Sequence, residues 1–345
     1  VVVKVQRPTI RTQVYRDLEV MAWLAPFLIG RIPVSALANP PALVELFTET
    51  ITEELDFRLE AENMLDVAEA FAQLDQRGFV VARPHPTLVT RRVLVMERLS
   101  GYGWEDIDGM IAAGISGHDV VRTGMVGFTE GAMVQGIFHG DLHGGNLFVL
   151  EDGRIALLDF GITARMTEKE RLAFLRMMIT GATGDIRGQL AAFRDLGALP
   201  DDVDLDWVMS ELRLDGDVID PTQLSQDEMM AELQRITKAL LGMGARLPKI
   251  LMLYVKNLVF LDGAIATLAP DLDIMAEIMN LWMSMAGRHG EVLAAQLGIA
   301  ADDMIGVDET SVRAAFGITE QDASPLTHEE LRRRRDLIRA RMRKR

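Results

Sequence analysis

Apolar positions repeat with two different periods along this chain, and the period marks the elements. Residues 1–6 form a Val-rich run that predicts a β-strand, with Lys4 inside it and Pro8 at its exit. Pro40 and Pro41 open a helical pattern over residues 42–74, in which Leu43, Leu46, Phe47 and Ile51 recur at helical spacing. Residues 78–81 and 86–97 read as two further strand-like runs. Gly101, Gly103 and Gly109 then mark a connection between lobes, with a boundary near residue 100. Residues 118–136 read as a helix. Two short β-type runs follow, 147–150 and 155–158, joined by Glu151-Asp152-Gly153-Arg154, a turn of the kind that links hairpin strands. A helical pattern begins near Thr167, and Leu-, Met- and Ala-rich helices continue to about residue 300. Asp215 and Asp217, around Gly216, lack the other ligand positions of a calcium loop and read as a turn. Thr327-His-Glu-Glu330 is a capping box that predicts a terminal helix.

The expected organisation is α+β: a partial N-lobe over residues 1–99, a mainly helical C-lobe over 100–320 and a tail helix over 321–345. The longest apolar region, 250–269, carries Lys256 and Asp262, and no run of about eighteen apolar residues is free of charge, so no membrane span is expected.

Chemistry concentrates in residues 137–165. Asp141, Asn146 five positions later, and Asp159 inside an Asp-Phe-Gly triplet bring two carboxylates and an amide onto the two short β-type runs. Oxygen ligands of this kind suit Mg²⁺, which binds through one or two protein groups plus substrate phosphates rather than in a full protein cage. Asn146 and Asp159 fit that demand, and Asp141 stands where a phosphoryl-transfer enzyme positions or deprotonates its acceptor. Lys4, on a strand, needs a charged partner if buried. Asp56, Glu60 and Asn63, spaced i, i+4 and i+7 in the acidic helical pattern, offer one. His139 and His143 are four apart, but the Gly-rich loop around them denies a helical zinc pair, and they are expected to hydrogen-bond loop backbone.

Composition narrows the class. With 345 residues, 49% hydrophobic and 25% charged, the chain is globular and long enough for one bilobal domain. It has no cysteine, which excludes disulfides and thiol chemistry and permits a reducing cytoplasm, the default location. A net charge of −15 argues against nucleic-acid binding. The last stretch is different: from Arg332 to Arg345, Lys and Arg residues face a single acid, Asp336. Such a helix is either solvated or drawn to an anionic membrane surface, at about 1 kcal/mol per basic residue. The first residue is not Met, which predicts that the native N-terminus lies upstream.

Four segments together resemble the UbiB family, the AarF-domain atypical kinases: Val-Val-Val-Lys-Val-Gln-Arg-Pro at 1–8, Glu-Glu-Leu-Asp-Phe-Arg-Leu-Glu-Ala-Glu-Asn at 53–63, His-Gly-Asp-Leu-His-Gly-Gly-Asn at 139–146 and Leu-Leu-Asp-Phe-Gly at 157–161. Residues 247–263 are similar to that family's C-terminal helices. The resemblance implies a protein-kinase-like bilobal fold with ATP and Mg²⁺ as cofactors. It makes Lys4 the phosphate-binding strand lysine, Glu60 its helix partner, Glu54 and Asp56 the family's Glu-x-Asp pair near the nucleotide, Asp141 the catalytic-loop Asp, and Asn146 and Asp159 the metal ligands. Residues 93–101 resemble a kinase hinge, so backbone around Glu97 to Leu99 would face the adenine. Gly140, Leu142 and Gly144 depart from the family's usual Ala, Pro and Pro, and the family's Lys-x-Gly-Gln helix and Ala-rich loop are not in this chain.

The implied activity is Mg²⁺-dependent ATP hydrolysis or transfer of its phosphoryl group to a small or lipid-like acceptor, in support of isoprenoid quinone biosynthesis. There is no Ala-Pro-Glu after Arg165 and no long activation segment, which disfavours a peptide substrate. The alternatives are a small-molecule kinase of the aminoglycoside or choline type and a nucleotide-binding scaffold without turnover. Contact with the inner membrane surface through the basic tail is the expected peripheral interaction.

Overall fold

The structure is a computed structural model and describes residues 1–28, 55–214, 242–300 and 327–343, with isolated positions between 44 and 51 and between 228 and 240. It is α+β. Two compact units are distinguished: Val1–Met166 with Lys249–Ala264, and Thr167–Pro248 with Ile265–Arg345.

The first unit begins with strand β1 (Val2–Val5) and helix α1 (Ile10–Leu28). Helix α2 (Phe57–Gln73) follows, then strands β2 (Phe79–Val81), β3 (Pro84–Val89), β4 (Val93–Met96) and β5 (Tyr102–Gly103). Strand β4 lies between β1 and β3, antiparallel to both, so that Lys4 sits opposite Leu94, a residue with no exposed surface. Helix α2 buries Phe57, Glu60, Ala61, Met64, Val67 and Ala70, a stripe at three- and four-residue spacing that faces the core.

Helices α3 (Ile107–Ala112) and α4 (Gly117–Glu130) come next, and a π-helical turn, Gly131–Gln135, closes α4 at Gly136 in the left-handed conformation. Strand β6 (Ile137–His139), a 3₁₀ turn (Gly144–Asn146) and strands β7 (Leu147–Val149), β8 (Ile155–Leu157) and β9 (Thr163–Arg165) complete the segment that carries Asp141, Asn146 and Asp159. β7 and β8 form the hairpin that the Glu-Asp-Gly-Arg turn predicts, with Leu147 opposite Leu157. β8 continues the sheet onto β2 in parallel, β7 continues it onto β5, and β6 pairs with β9 as a separate ribbon. Helix α8 (Lys249–Leu268), numbered after α5 to α7 of the second unit, returns to pack against this region.

The second unit is helical: α5 (Glu168–Thr183), α6 (Ile186–Asp195), α7 (Leu205–Leu212), α9 (Ile274–Leu297) and α10 (His328–Arg343). Thr167 and Glu170 close a reciprocal capping box at the start of α5, where the sequence places a helix start. Leu190, Leu199, Leu205, Val208, Ala239 and Met243 form one buried cluster. Nearly buried Arg171 joins α5 to α9 by donating to Gln296 at 2.9 Å. In α10 the Thr327 hydroxyl accepts from the Glu330 N–H at 3.3 Å, as the expected capping box requires, and Arg332 and Arg333 are exposed.

Four expectations change. Helix α1 has no counterpart in the sequence reading; Leu18 and Ala25 are buried on one side of it, while Val20, Trp23, Leu24 and Phe27, at i, i+3, i+4 and i+7, are exposed on another. The helix expected over 42–74 is not continuous, because Asp56 is extended and caps α2; residues 42–54 lie mostly outside the described residues. The run 86–97 is two strands, since the Thr90 hydroxyl and the Arg92–Val93 amides make a turn there. The helix over 118–136 gives way to the π turn at Gly131. The Asp215–Asp217 turn falls outside the described residues.

Helix α8 is long and apolar enough to cross a membrane by length and composition. Its residues Leu251, Leu253, Tyr254, Asn257, Leu261 and Ala264 are buried, Val255, Leu258 and Val259 are exposed, and Lys256 and Asn257 contact the loop that carries Asp141, so one face of α8 packs within the first unit.

Gly101 illustrates how closely the link after β4 is packed: a Cβ there would stand 2.4 Å from the Val149 carbonyl oxygen. Gly103, two residues on, has open space. Gly101→Ala is expected to lower stability by about 1–3 kcal/mol through overpacking against backbone, whereas Gly103→Ala should stay within about 0.5 kcal/mol. Paired chemical denaturation curves of the two variants check this.

Candidate active site

Lys4 stands at the centre of a charged cluster. Its ammonium donates to both Glu60 carboxylate oxygens, at 2.8 and 3.0 Å, and lies 3.0 Å from Asp159 Oδ2. The ammonium is also 5.2 Å from the centre of the Phe57 ring. Strand β1 and the first turns of α2 therefore meet through charge. Burial alone would lower the Lys4 pKa, but the two carboxylates outweigh it and raise the value, keeping the ammonium charged. Glu60 is 4% exposed, and burial pushes its carboxyl above the usual range against the pull of Lys4.

One turn beyond Glu60, Asn63 donates to the Phe160 carbonyl at 2.8 Å and accepts from Arg165 at 2.7 Å. Arg165 also pairs with Asp66 at 2.6 Å. The Asp-Phe-Gly segment is thereby clasped to α2 on both sides of Gly161.

Asn146 and Asp159 come together through the β7–β8 register. Leu147 faces Leu157, and the Leu158 N–H donates to the Asn146 carbonyl at 2.8 Å, so both residues leave the same open end of the hairpin. The Asn146 amide nitrogen donates to the Asp141 carbonyl at 3.1 Å, which leaves its side-chain oxygen as the available acceptor. Asp159 has φ +56°, a left-handed conformation that Asp tolerates better than most residues, and its Oδ1 accepts from the Gly161 N–H at 3.3 Å. An amide oxygen and a half-exposed carboxylate are hard donors that fit Mg²⁺ sharing its shell with phosphate oxygens. No group of three or more His, Cys, Asp and Glu suited to a metal ion is found among the described residues, so a zinc-type cage at His139 and His143 has no support.

Instead both histidines bind backbone. His139 Nδ1 accepts from the Asp141 N–H at 3.1 Å and its Nε2 faces the Leu158 carbonyl at 3.0 Å, which requires the neutral Nε2–H tautomer. His143 Nδ1 accepts from the Gly145 N–H at 3.1 Å. The ring of His139 meets the fully buried Phe160 edge-on, 5.1 Å between centres. The catalytic loop and the Asp-Phe-Gly segment are thus locked to each other.

The other sequence candidates lie outside this cluster or outside the description. Asp56 is the N-cap of α2; its carboxylate binds the Arg58 side chain at 2.6 and 2.9 Å and lies 3.9 Å from Arg91, which holds its pKa below the ordinary range, the Arg58 hydrogen bond leading. Glu54 falls outside the described residues. Glu97 gives its N–H to the Arg83 carbonyl at 2.9 Å, so within the hinge segment that donor is already taken; Leu99 is half-buried two residues on.

Two residues that contact the loop carrying Asp141 were not candidates in the sequence reading. Lys256 of α8 contacts Asp141 Oδ1 directly, and Asn257, with no exposed surface, donates to the His139 carbonyl and accepts from the Leu142 N–H at 3.0 Å. The signal was present: a Lys-Asn pair inside a 20-residue apolar helix needs polar partners.

His139 carries a pH consequence. Burial pushes its pKa below the ordinary value of 6.5. The unfolded chain therefore takes up a proton in acid before the folded one does, and stability falls as pH drops below about 6.5, by at most about 1.4 kcal/mol per pH unit from this group. Denaturant midpoints between pH 7.5 and 5.5 are expected to fall for the unaltered chain and to fall less for His139→Asn.

Comparison with known proteins places this geometry in a family. Residues 1–191 match the ABC1 atypical kinase-like domain. The chain is 30% identical over 271 residues to Protein ACTIVITY OF BC1 COMPLEX KINASE 1, chloroplastic, of Arabidopsis thaliana, over 79% of this chain and 39% of that protein. It is 26% identical over 278 residues to the Probable protein kinase UbiB of Vibrio campbellii, covering 79% of this chain and 51% of that one. Among solved structures, Rv3197 in complex with erythromycin, from Mycobacterium tuberculosis, is 22% identical, with a TM-score of 0.42 over 73% of this chain and 69% of that chain. The chain spans about 39% to 51% of the length of the two curated relatives named. Its α+β fold is kinase-like and bilobal, and the chain belongs to the UbiB family of ABC1 atypical kinase-like proteins.

Proposed function

We propose that the chain binds Mg²⁺-ATP and hydrolyses it, or transfers its terminal phosphoryl group to a small or lipid-like acceptor, in support of isoprenoid quinone biosynthesis. The observation that carries this reading is the convergence of Lys4, Glu60 and Asp159, residues from three separate elements, in one ion-paired cluster. A cation held by a buried glutamate, next to a half-exposed aspartate, is what a polyphosphate and its metal require.

In this reading Lys4 binds the α and β phosphates, and Glu60 sets its direction. Asn146 and Asp159 would hold the metal, which would supply positive charge to the polyphosphate. Asp141 receives the acceptor's proton, or orients a water, as the new P–O bond forms and the bond to the leaving diphosphate breaks. His139, Asn146 and Asn257 hold the Asp141 backbone in place. Backbone around Glu97 to Leu99 meets the adenine, and Glu54 and Asp56 belong to the nucleotide's surroundings. Residues 1–99 act as the N-lobe and 100–320 as the C-lobe, while the basic helix after residue 321 touches an anionic membrane surface from the cytoplasmic side.

Asp141→Asn is expected to retain Mg²⁺-ATP binding while multiple-turnover phosphate release falls by about a hundredfold or more. Asp159→Asn should weaken Mg²⁺-nucleotide binding by about tenfold or more. Calorimetry and phosphate-release assays check both. Binding without turnover in the unaltered chain would favour the scaffold alternative, and absence of nucleotide binding would remove the kinase reading altogether.

A further inference from the structure

The Asp141 carboxylate has two recorded neighbours among the described residues. The Lys256 ammonium touches Oδ1, and His143 Nε2 stands 3.9 Å from Oδ2. Lys256 arrives from 115 positions further along the chain, on α8. It is 49% exposed, and Asp141 28%. An ion pair this wet contributes little to stability. Nor does the loop need it, because the neighbouring Asn257 already ties α8 to the His139 carbonyl and the Leu142 N–H from a fully buried position. The backbone of Lys256 is therefore fixed while its flexible stem and remaining ammonium donors are free to turn toward a second anion.

The two lysines of the site differ in this respect. Lys4 is shared between two carboxylates, Glu60 and Asp159, whereas the recorded partner of Lys256 is Asp141 alone. Asp141 is the group assigned to the acceptor, so a cation on it lies on the acceptor side of the transferring phosphorus.

We propose that Lys256 is a catalytic residue that contacts the terminal phosphoryl group of a nucleoside triphosphate, so that the site distinguishes triphosphate from diphosphate. The assignment rests on the Mg²⁺-nucleotide reading above. As the bond from the γ phosphorus to the bridging oxygen breaks, its electron pair leaves with the diphosphate. The acceptor oxygen bonds to phosphorus, and the acceptor's proton passes to Asp141. Lys256 keeps its own protons and balances negative charge on the transferring oxygens, moving between the Asp141 carboxylate and the phosphoryl group within the reach of its side chain.

Lys256→Met keeps most of the stem and removes the charge, and Lys256→Arg keeps the charge. With calorimetry on Mg²⁺-ATP and Mg²⁺-ADP, Lys256→Met is expected to lose about tenfold or more in ATP affinity while ADP affinity stays within about twofold. Retained ADP binding also establishes that the variant is folded. Phosphate release at saturating ATP should fall by about a hundredfold, and Lys256→Arg should recover most of the ATP affinity. An unchanged ratio of ATP to ADP affinity in Lys256→Met, with the unaltered chain binding both, would overturn the role of Lys256 alone. Binding of neither nucleotide by the unaltered chain would overturn the nucleotide reading and this role with it.

Discussion

A carboxylate that is 4% exposed needs a cation beside it, and Glu60 obtains one from a strand 56 positions away. Removing one partner of a buried pair typically costs about 3–5 kcal/mol, because the other is left uncompensated. That constraint fixes the place of α2 against β1. Since the same ammonium also meets Asp159, it fixes the start of the Asp-Phe-Gly segment as well. Asn63 and Arg165 then repeat the attachment one turn along α2, by hydrogen bonds instead of a buried charge.

The loop that carries Asp141 is held in a different way. Its backbone is bonded by His139 from within, by the Asn146 amide from the following turn and by Asn257 from α8. Buried polar side chains with full partners specify position as well as stability. The strained backbone of Asp159 is tolerated because its neighbours on both sides, Leu158 and Phe160, are bonded to Asn146, His139 and Asn63.

Much of this was legible in the sequence, for a physical reason: the elements that read correctly are those whose local pattern agrees with their tertiary role. The β7–β8 hairpin declares itself through its turn and its two short apolar runs, and the helix start near Thr167 through its helical pattern. Lys4 and Glu60 were legible because a charge in an apolar run implies a partner, though which residue of the row 56, 60 and 63 would serve came from resemblance. Asp56 went to the cap of its own helix, a local competition that spacing alone cannot resolve. Helix α1 was not legible because its apolar residues divide between two faces, a buried one with Leu18 and Ala25 and an exposed one with Val20, Trp23, Leu24 and Phe27, so that no single stripe results. Lys256 was noticed only as an interruption of an apolar run and Asn257 was not singled out; their partners lie more than a hundred positions away, and no local pattern carries that distance.

The short passage from Gly161 to Glu168 has a consequence for control. A switch needs two arrangements of similar free energy, between which a modest signal can choose. Here the passage contains strand β9, paired along its length with β6, then Arg165 held by Asn63 and Asp66, then the reciprocal cap at Thr167. Within the first unit, β9 and Arg165 are therefore tied to β6 and to α2 by several independent contacts. A signal acting on this part of the first unit would first have to break the β6–β9 pairing and the contacts of Arg165 with Asn63 and Asp66.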